Sequence, residues 1–159
     1  MDNPEIILRK ADPSKGEQVA RISRGSRQHF LPYLPDLHSL EEDIAYFTNV
    51  VLEQSEVWCA ERNNTLVGFC AFRDGWLEHL YCLPKYVGCG AGIKLLDKAK
   101  QGQEELSLWV FQRNERAIRF YERNGFVKVR ETDGSGCEEK LPDALYMWRR
   151  DRSANDLPS

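Results

Sequence analysis

The glycine-rich segment at residues 81–96 constrains the fold of this chain more than any other part of its sequence. Glycines at positions 88, 90 and 92 separate a strand-like run, which ends at Leu83-Pro84, from an apolar helical run. Alternate glycines remove side chains from the turn, so that backbone N–H groups can meet an anion at the positive end of the helix dipole. The segment predicts a strand–loop–helix unit that binds a phosphate-bearing ligand, although a flexible connection has the same composition.

The overall composition is that of one globular domain. Of 159 residues, 42% are hydrophobic and 30% are charged, and the net charge of −3 provides no basic surface for nucleic acid. The N-terminal residues lack the pattern of a signal peptide, and no apolar run approaches the roughly 18 residues of a membrane helix. We predict one domain over residues 4–150, a polar, disordered tail over 151–159, and no nucleic-acid or membrane partner. A homodimer stays open.

The five cysteines form no CxxC pair and are odd in number. This usage predicts small buried side chains in a reducing compartment, so we expect the protein in the cytoplasm. His79, Cys82 and Cys89 lack a fourth ligand at a recognisable spacing, and no metal site is predicted.

Hydrophobic periodicity predicts eleven elements in the order β-α-α-β-β-β-α-β-α-β-β. The second helix begins at a capping box, Ser39-x-x-Glu42, and its apolar stripe contains Ile44, Phe47, Val50 and Val51. The acidic residues 41–43 in its first turn are interpreted as charges that favour a helix N-terminus, not as catalytic acids. The pattern predicts a mixed α/β domain (α+β type) with a mainly antiparallel sheet, unlike the parallel alternation of a Rossmann fold.

Residues 29–38 form a proline-punctuated aromatic loop with two histidines. Prolines favour a packed connection between helices, but clustered aromatic groups on a loop also line substrate pockets. Both interpretations remain open.

The chain resembles the GCN5-related N-acetyltransferase (GNAT) superfamily from about Ile6 to Trp148. Residues 80–96 carry an x-P-x-Y turn, a Gly-x-Gly-x-Gly loop and a Leu-Leu helix, and residues 114–126 carry the run N-x-x-A-I-x-F-Y-E-x-x-G-F. The order of the early helices and the hairpin also matches. The resemblance implies a GNAT-like fold with acetyl-CoA as cosubstrate. It also implies that a primary amine attacks acetyl-CoA directly and takes its acetyl group; the amine can belong to a small molecule, a peptide N-terminus or a lysine.

The resemblance also implies which residues contact acetyl-CoA. In the family, the glycine loop usually begins with Arg or Gln, whereas this chain has Val87 at that position, so we expect weaker cofactor affinity. Lys85 or Lys94 could supply a positive charge near the loop. Asn114 matches a CoA-contacting asparagine, although helix capping explains it equally well. The implied cofactor contacts are Leu80, Tyr81, Cys82, Val87, Gly88, Cys89, Gly90, Ala91, Gly92, Ile93, Asn114, Ala117 and Tyr121.

Two groups are implied for proton transfer. Tyr121 matches the general acid of the family, and a phenol with a pKa near 10 can protonate a departing thiolate. Glu78, or else His79, lies on the strand where the family often places its base, and on a regular strand the two face opposite ways. Water alone, a packed core tyrosine at position 121 and an acetylated Cys89 remain alternatives.

Two other functions remain open at this stage. The same fold could use another acyl-CoA, or the chain could be a non-catalytic acyl-CoA-binding module, for which Val87 is the best support. The acceptor amine would be shaped by residues 29–38 and 133–140, and its identity does not follow from the sequence.

Overall fold

The computed structural model describes residues 5–151, which divide into two compact units at Gln101/Gly102. The predicted tail at 151–159, apart from its first residue, and the predicted domain start at residue 4 lie outside the described residues. The two units are treated in turn, and the single domain over 4–150 stays a prediction.

The first unit contains four strands and the helices that follow the predicted order. Its strands pair in the order β1-β2-β3-β4, and all three pairings are antiparallel. The elements are β1 (Ile7–Lys10), a 3-10 turn (Pro13–Lys15), α1 (Gly16–Phe30), α2 (Leu40–Tyr46), a π-helical segment (Phe47–Val51), α3 (Leu52–Gln54), β2 (Glu56–Arg62), β3 (Thr65–Arg73), β4 (Trp76–Cys82), a second 3-10 turn (Pro84–Tyr86) and α4 (Ala91–Lys100).

Helices cover both faces of this sheet. Phe69 is fully buried in a cluster formed with α1 and the π segment. The next residue, Cys70, points the other way, and its Sγ lies 3.6 Å from the Leu95 carbonyl in α4. Because the middle of the sheet is buried on both sides, β3 has the continuous apolar sequence that the chain shows at residues 66–72.

The predicted capping box is confirmed, but the apolar stripe behind it is partly wrong. Ser39 Oγ accepts from the Glu42 amide, and Glu42 accepts from the Ser39 amide. Phe47 and Val51 are buried, whereas Val50 is 38% exposed. Hydrogen bonds in a π segment join residues i and i+5, so each turn is wider than in an α-helix. Val51, four residues after Phe47, therefore faces the core with it, whereas Val50, three residues after Phe47, turns away from the core.

A β-bulge interrupts the pairing of β3 with β4. Ala71 pairs with His79, but Phe72 pairs with Leu77, so Glu78 is an extra residue. A bulge disrupts the alternation of side chains along a strand. The prediction that Glu78 and His79 face opposite ways is therefore wrong: Glu78 contacts Ser55, just after α3, and His79 contacts Tyr46 and Phe47 of the same segment between α1 and β2.

The second unit is an antiparallel sheet with one helix. Its elements are β5 (Glu105–Phe111), α5 (Glu115–Arg123), β6 (Val127–Glu131) and β7 (Asp143–Arg149), and the strands pair in the order β5-β7-β6. The loop before β7 is closed on itself: a Cβ at Gly134 would lie 2.3 Å from the Leu141 carbonyl group. Together the two units confirm the predicted element order and the α+β, mainly antiparallel fold class.

Candidate active site

The loop between β4 and α4 is held by backbone hydrogen bonds. The Leu83 amide donates to the Val67 carbonyl at 2.8 Å, and the Tyr86 and Cys89 amides donate to Leu83 and Tyr86 at 2.9 and 3.2 Å. Gly88 and Gly90 then adopt positive φ angles of 89° and 93°. Residues with a Cβ rarely adopt this conformation, which explains glycine at both positions.

The N-terminus of α4 is open to a ligand. Gly90 is the N-cap and has no side-chain cap hydrogen bond within residues 5–151. The first helical bond is donated by the Lys94 amide to Gly90, so the amides of residues 91–93 lack an intrahelical acceptor. No described atom lies within 4 Å of a Cβ built at Gly88 or Gly90. The loop thus offers several N–H donors, at the positive end of a helix dipole, beside free space.

Two lysines near this loop differ in whether their ammonium groups already donate to the described part of the protein. Val87 stands where a cationic or amide side chain was expected, and its side chain is 43% exposed. Lys94 Nζ donates to the Ile6 carbonyl at 3.2 Å, so its charge is already engaged. Lys85 Nζ lies 5.7 Å from the Tyr86 ring centroid and is the other candidate for a charge at the loop.

Gly68 is a positioning residue that the sequence analysis missed. It pairs with Cys82, and a Cβ at Gly68 would lie 2.8 Å from the Tyr81 carbonyl oxygen. The absence of a side chain therefore allows β3 and β4 to approach closely beside residues 80–82, which are all half-buried. The available signal was a lone glycine inside an apolar strand pattern, since such a glycine often marks close backbone approach.

The bulge residue Glu78 has two polar partners. Its carboxylate accepts from the Ser55 hydroxyl and lies 3.7 Å from the Arg73 guanidinium. The side chain is 31% exposed, so the carboxylate remains accessible to water.

His79 lies in a cage of aromatic rings. Its ring centroid is 5.1 Å from Phe47 and 6.0–6.3 Å from Tyr46, Phe69 and Tyr81. Burial, with a smaller contribution from the charge of Arg27, lowers the pKa of His79 from 6.5 to about 4. Its Nδ1 is buried without a hydrogen-bond partner among the described residues. At neutral pH the imidazole is uncharged.

Asp43 has a role beyond its predicted effect on the helix N-terminus. It is buried, and its Oδ2 lies 2.8 Å from Arg24 Nη1 and 3.3 Å from Arg27 Nη2. The guanidinium of Arg24 has its pKa raised chiefly by this hydrogen bond. The three residues form what we call the Arg24–Arg27–Asp43 cluster.

The aromatic loop of residues 29–38 borders a cavity. Its volume is about 260 Å³, and it lies next to the Arg24–Arg27–Asp43 cluster. The loop thus borders a pocket, but none of its aromatic rings or histidines lines the cavity, so the interpretation that these groups line a substrate pocket stays a hypothesis. The lining residues are Arg24, Arg27, Gln28, Leu31, Pro32, Leu34, Pro35 and Asp36.

In the second unit, Asn114 and Tyr121 occupy opposite ends of α5. Asn114 Oδ1 accepts from the Ala117 amide at 3.3 Å, so the predicted cap is present. The ring of Tyr121 is buried and packs edge-on against Phe126, with 5.4 Å between ring centroids. These positions leave the predicted cofactor and proton-transfer roles of Asn114, Ala117 and Tyr121 as hypotheses.

Comparisons with known proteins agree on one family. Residues 53–128 match the family described as "Acetyltransferase (GNAT) domain". The chain is 34% identical over 99 residues to the peptidyl-lysine N-acetyltransferase YiaC of Escherichia coli, a match covering 61% of this chain and 66% of YiaC. It is 29% identical over 151 residues to the E. coli peptidyl-lysine N-acetyltransferase YjaB, covering 89% of this chain and 97% of YjaB.

Solved structures show the same fold. The PaiA N-acetyltransferase of Thermoplasma acidophilum in complex with coenzyme A has a TM-score of 0.73 at 24% identity, and the alignment covers 92% of this chain and 99% of that one. YncA, a putative acetyltransferase of Salmonella typhimurium with its cofactor acetyl-CoA, has a TM-score of 0.72 at 20% identity, covering 92% and 95%.

Proposed function

The chain belongs to the GNAT superfamily, and on this premise we propose that it acetylates a primary amine by direct attack of the amine on acetyl-CoA. Membership makes it an N-acetyltransferase with acetyl-CoA as the acetyl donor. A peptide lysine is one candidate acceptor, because YiaC and YjaB are named for that activity. In residues 5–151, no helix has the length and apolar character needed to cross a membrane. Five free thiols support our expectation of a cytoplasmic enzyme.

The observation that carries this proposal is the uncapped N-terminus of α4 behind two left-handed glycines. A pyrophosphate needs several donors in a small volume, and the free amides of residues 91–93 supply them with the helix dipole aligned. The open space around Gly88 and Gly90 leaves room for its oxygens. We propose that residues 87–93 hold the pyrophosphate and that the backbone of residues 80–82 holds the acyl end.

The proton transfers are assigned to Tyr121 and Glu78. A lysine-like amine is mostly protonated at pH 7, so one proton must leave before attack. The carboxylate of Glu78 can take it, directly or through water, since it is partly exposed and lies 3.7 Å from the Arg73 guanidinium. His79 is the weaker candidate base, because a pKa of about 4 makes its imidazole a poor proton acceptor. The phenol of Tyr121 then donates its proton to the departing thiolate, and the second proton that the amine nitrogen loses as the amide forms restores the phenol.

The proposal is tested by measuring release of the CoA thiol with a panel of amines, together with the mass shift of the acetylated product. Tyr121→Phe should reduce turnover by tens-fold or more, while the thermal shift on adding acetyl-CoA persists. Tyr146→Phe is the matched control, since Tyr146 is a buried tyrosine of the same unit on β7. A thermal shift without thiol release from the wild type contradicts the proposed transfer, and unchanged turnover in Tyr121→Phe contradicts the acid assignment.

The base is tested separately. Glu78→Gln should alter the acidic limb of the pH–rate profile, because the group that must be deprotonated has been removed. His79→Gln is measured alongside as the rival variant. A profile that changes only in His79→Gln transfers the role to the histidine.

A further inference from the structure

The Arg24–Arg27–Asp43 cluster has two guanidinium groups and one buried carboxylate. Two guanidinium groups share one oxygen of a single carboxylate, Asp43 Oδ2. A second acid, Asp36, lies 3.5 Å from Arg24, but its side chain is 71% exposed, so that solvent screens this pair. The side chains of Arg24 and Arg27 are only 16% and 29% exposed. Asp43 is therefore the buried anion of the cluster, and the exposed Asp36 offsets the second guanidinium charge only weakly.

This charge faces the cavity of about 260 Å³ described above. Both arginines line it together with Gln28 and Asp36, and the other lining residues are two leucines and two prolines. Arg27 Nε is buried and has no hydrogen-bond partner in the part of the chain that the structure describes. A buried donor without an acceptor is unfavourable, and a bound group that supplies an oxygen would relieve it.

The cavity lies on the side of the sheet where the acetyl end is expected. Helix α1, which carries both arginines, contacts β3, β4 and the Pro84–Tyr86 turn. Its Gly25 approaches Leu83, whose side chain would lie 3.7 Å from a Cβ at that glycine. The charge of Arg27 also reaches His79 on β4.

We propose that this cavity binds a carboxylate of the acceptor, so that the enzyme acetylates amines that carry a carboxylate near the reactive nitrogen. The inference rests on the proposed acetyl transfer and specifies its substrate class. A guanidinium binds a carboxylate through two parallel hydrogen bonds, and Arg27 retains the Nε donor for such a pair. A single guanidinium charge that only the exposed Asp36 offsets suits a monoanion better than a phosphate. The carboxylate can belong to a free amino acid or to an acidic residue beside a peptide lysine.

Matched acceptor pairs distinguish these two sources. L-lysine is compared with 1,5-diaminopentane, which lacks only the carboxylate, and a blocked Glu-Lys peptide is compared with its Gln-Lys counterpart. We expect kcat/KM to be about tenfold or more higher for the acidic member of at least one pair, which is the discrimination that one charge-assisted hydrogen bond provides. The pair that discriminates identifies the source of the carboxylate.

Variants of α1 link this preference to the cavity. Arg27→Gln should reduce the ratio of kcat/KM between acidic and neutral members about tenfold, and Arg27→Lys, which keeps the charge but not the planar fork, should give an intermediate ratio. Arg21→Gln is the control, because Arg21 lies on the exposed side of α1 in a surface pair with Glu17. Equal ratios in the wild type and in Arg27→Gln, or the same fall in Arg21→Gln, overturn the proposal.

A binding measurement separates this proposal from the activity. Sodium butyrate should shift the NMR signal of the Arg27 Nε–Hε group, identified by its loss in Arg27→Gln, whereas butyramide should not. If no amine is acetylated but butyrate shifts this signal, the transfer has failed and the carboxylate site stands. If acetylation proceeds but neither the acceptor ratio nor the signal responds to a carboxylate, the site has failed and the transfer stands.

Discussion

Gly68→Ala is the substitution whose effect follows most directly from the geometry. A Cβ at this position would lie 2.8 Å from the Tyr81 carbonyl oxygen and 3.0 Å from Cys82 Sγ. The first contact is with backbone that is hydrogen-bonded into the sheet, so it cannot be relieved by rotating a side chain. β3 and β4 must separate by a few tenths of an ångström beside the residues proposed to hold the acyl end.

The expected loss of stability has two opposing contributions. Overpacking a well-packed interior costs about 1–3 kcal/mol, and the upper part of that range applies because backbone must move. Alanine in a strand regains about 0.5–1 kcal/mol relative to glycine. The free energy of unfolding should therefore fall by about 1.5 kcal/mol. With a urea m-value of about 2 kcal/mol/M, the midpoint moves down by about 0.7 M.

Urea unfolding measures this change, and Gly25→Ala is the matched control. Gly25 lies inside α1, and its new Cβ would meet only Leu83 at 3.7 Å, an ordinary contact. Because alanine favours a helix over glycine, this variant should gain up to about 1 kcal/mol. Gly68→Ala should also raise the KM for acetyl-CoA more than Gly25→Ala does. Equal midpoints for the two variants would refute the steric argument.

Three further predictions concern charge and burial. Burial keeps the pKa of His79 near 4 in the folded protein, whereas the unfolded chain titrates near 6.5. As the pH falls from 6.5 to 4, the unfolded state binds a proton that the folded state does not, so the free energy of unfolding decreases. His79→Leu should lose less stability over this interval, and the same dependence of stability on pH in both proteins would contradict this. Burial raises the pKa of Cys59 and Cys70 to about 12, so iodoacetamide at pH 8 should label the half-buried Cys82, Cys89 and Cys137 before these two, as mass spectrometry of the folded protein can test. Val87→Arg should lower the Kd for acetyl-CoA about ten- to a hundredfold by calorimetry, whereas an unchanged Kd would mean that the loop amides suffice.

Local signals in the sequence predicted most of the fold. Asn63 and Asn64 adopt φ angles of 52° and 63°, the left-handed pair that a tight hairpin needs, and the strands on either side of them were predicted accordingly. The capping box and the glycine loop are likewise short motifs whose hydrogen bonds form within a few residues. Such features depend little on the rest of the chain.

The errors arose where the backbone departs from regular geometry or where partners are distant in sequence. Val50 was assigned to the core because a period of 3.6 was assumed across a π segment, and Glu78 and His79 were placed on opposite faces because alternation was assumed across a bulge. The pairing of Asp43 with Arg24 and Arg27 spans 19 and 16 residues. No periodicity connects these residues, so their charge cluster was not predicted.

The bulge at Glu78 interrupts the alternation of side chains between the two faces of the sheet along β4. Leu77 belongs to one face together with its partner Phe72, and His79 belongs to the other with Ala71, although their separation of two would put them on the same face of a regular strand. Each half of β4 can therefore match a different helical layer. Deleting Glu78 would make Leu77 and His79 neighbours on a regular strand, where consecutive side chains face opposite ways, so both could keep their present faces and only the contacts of Glu78 itself would be lost.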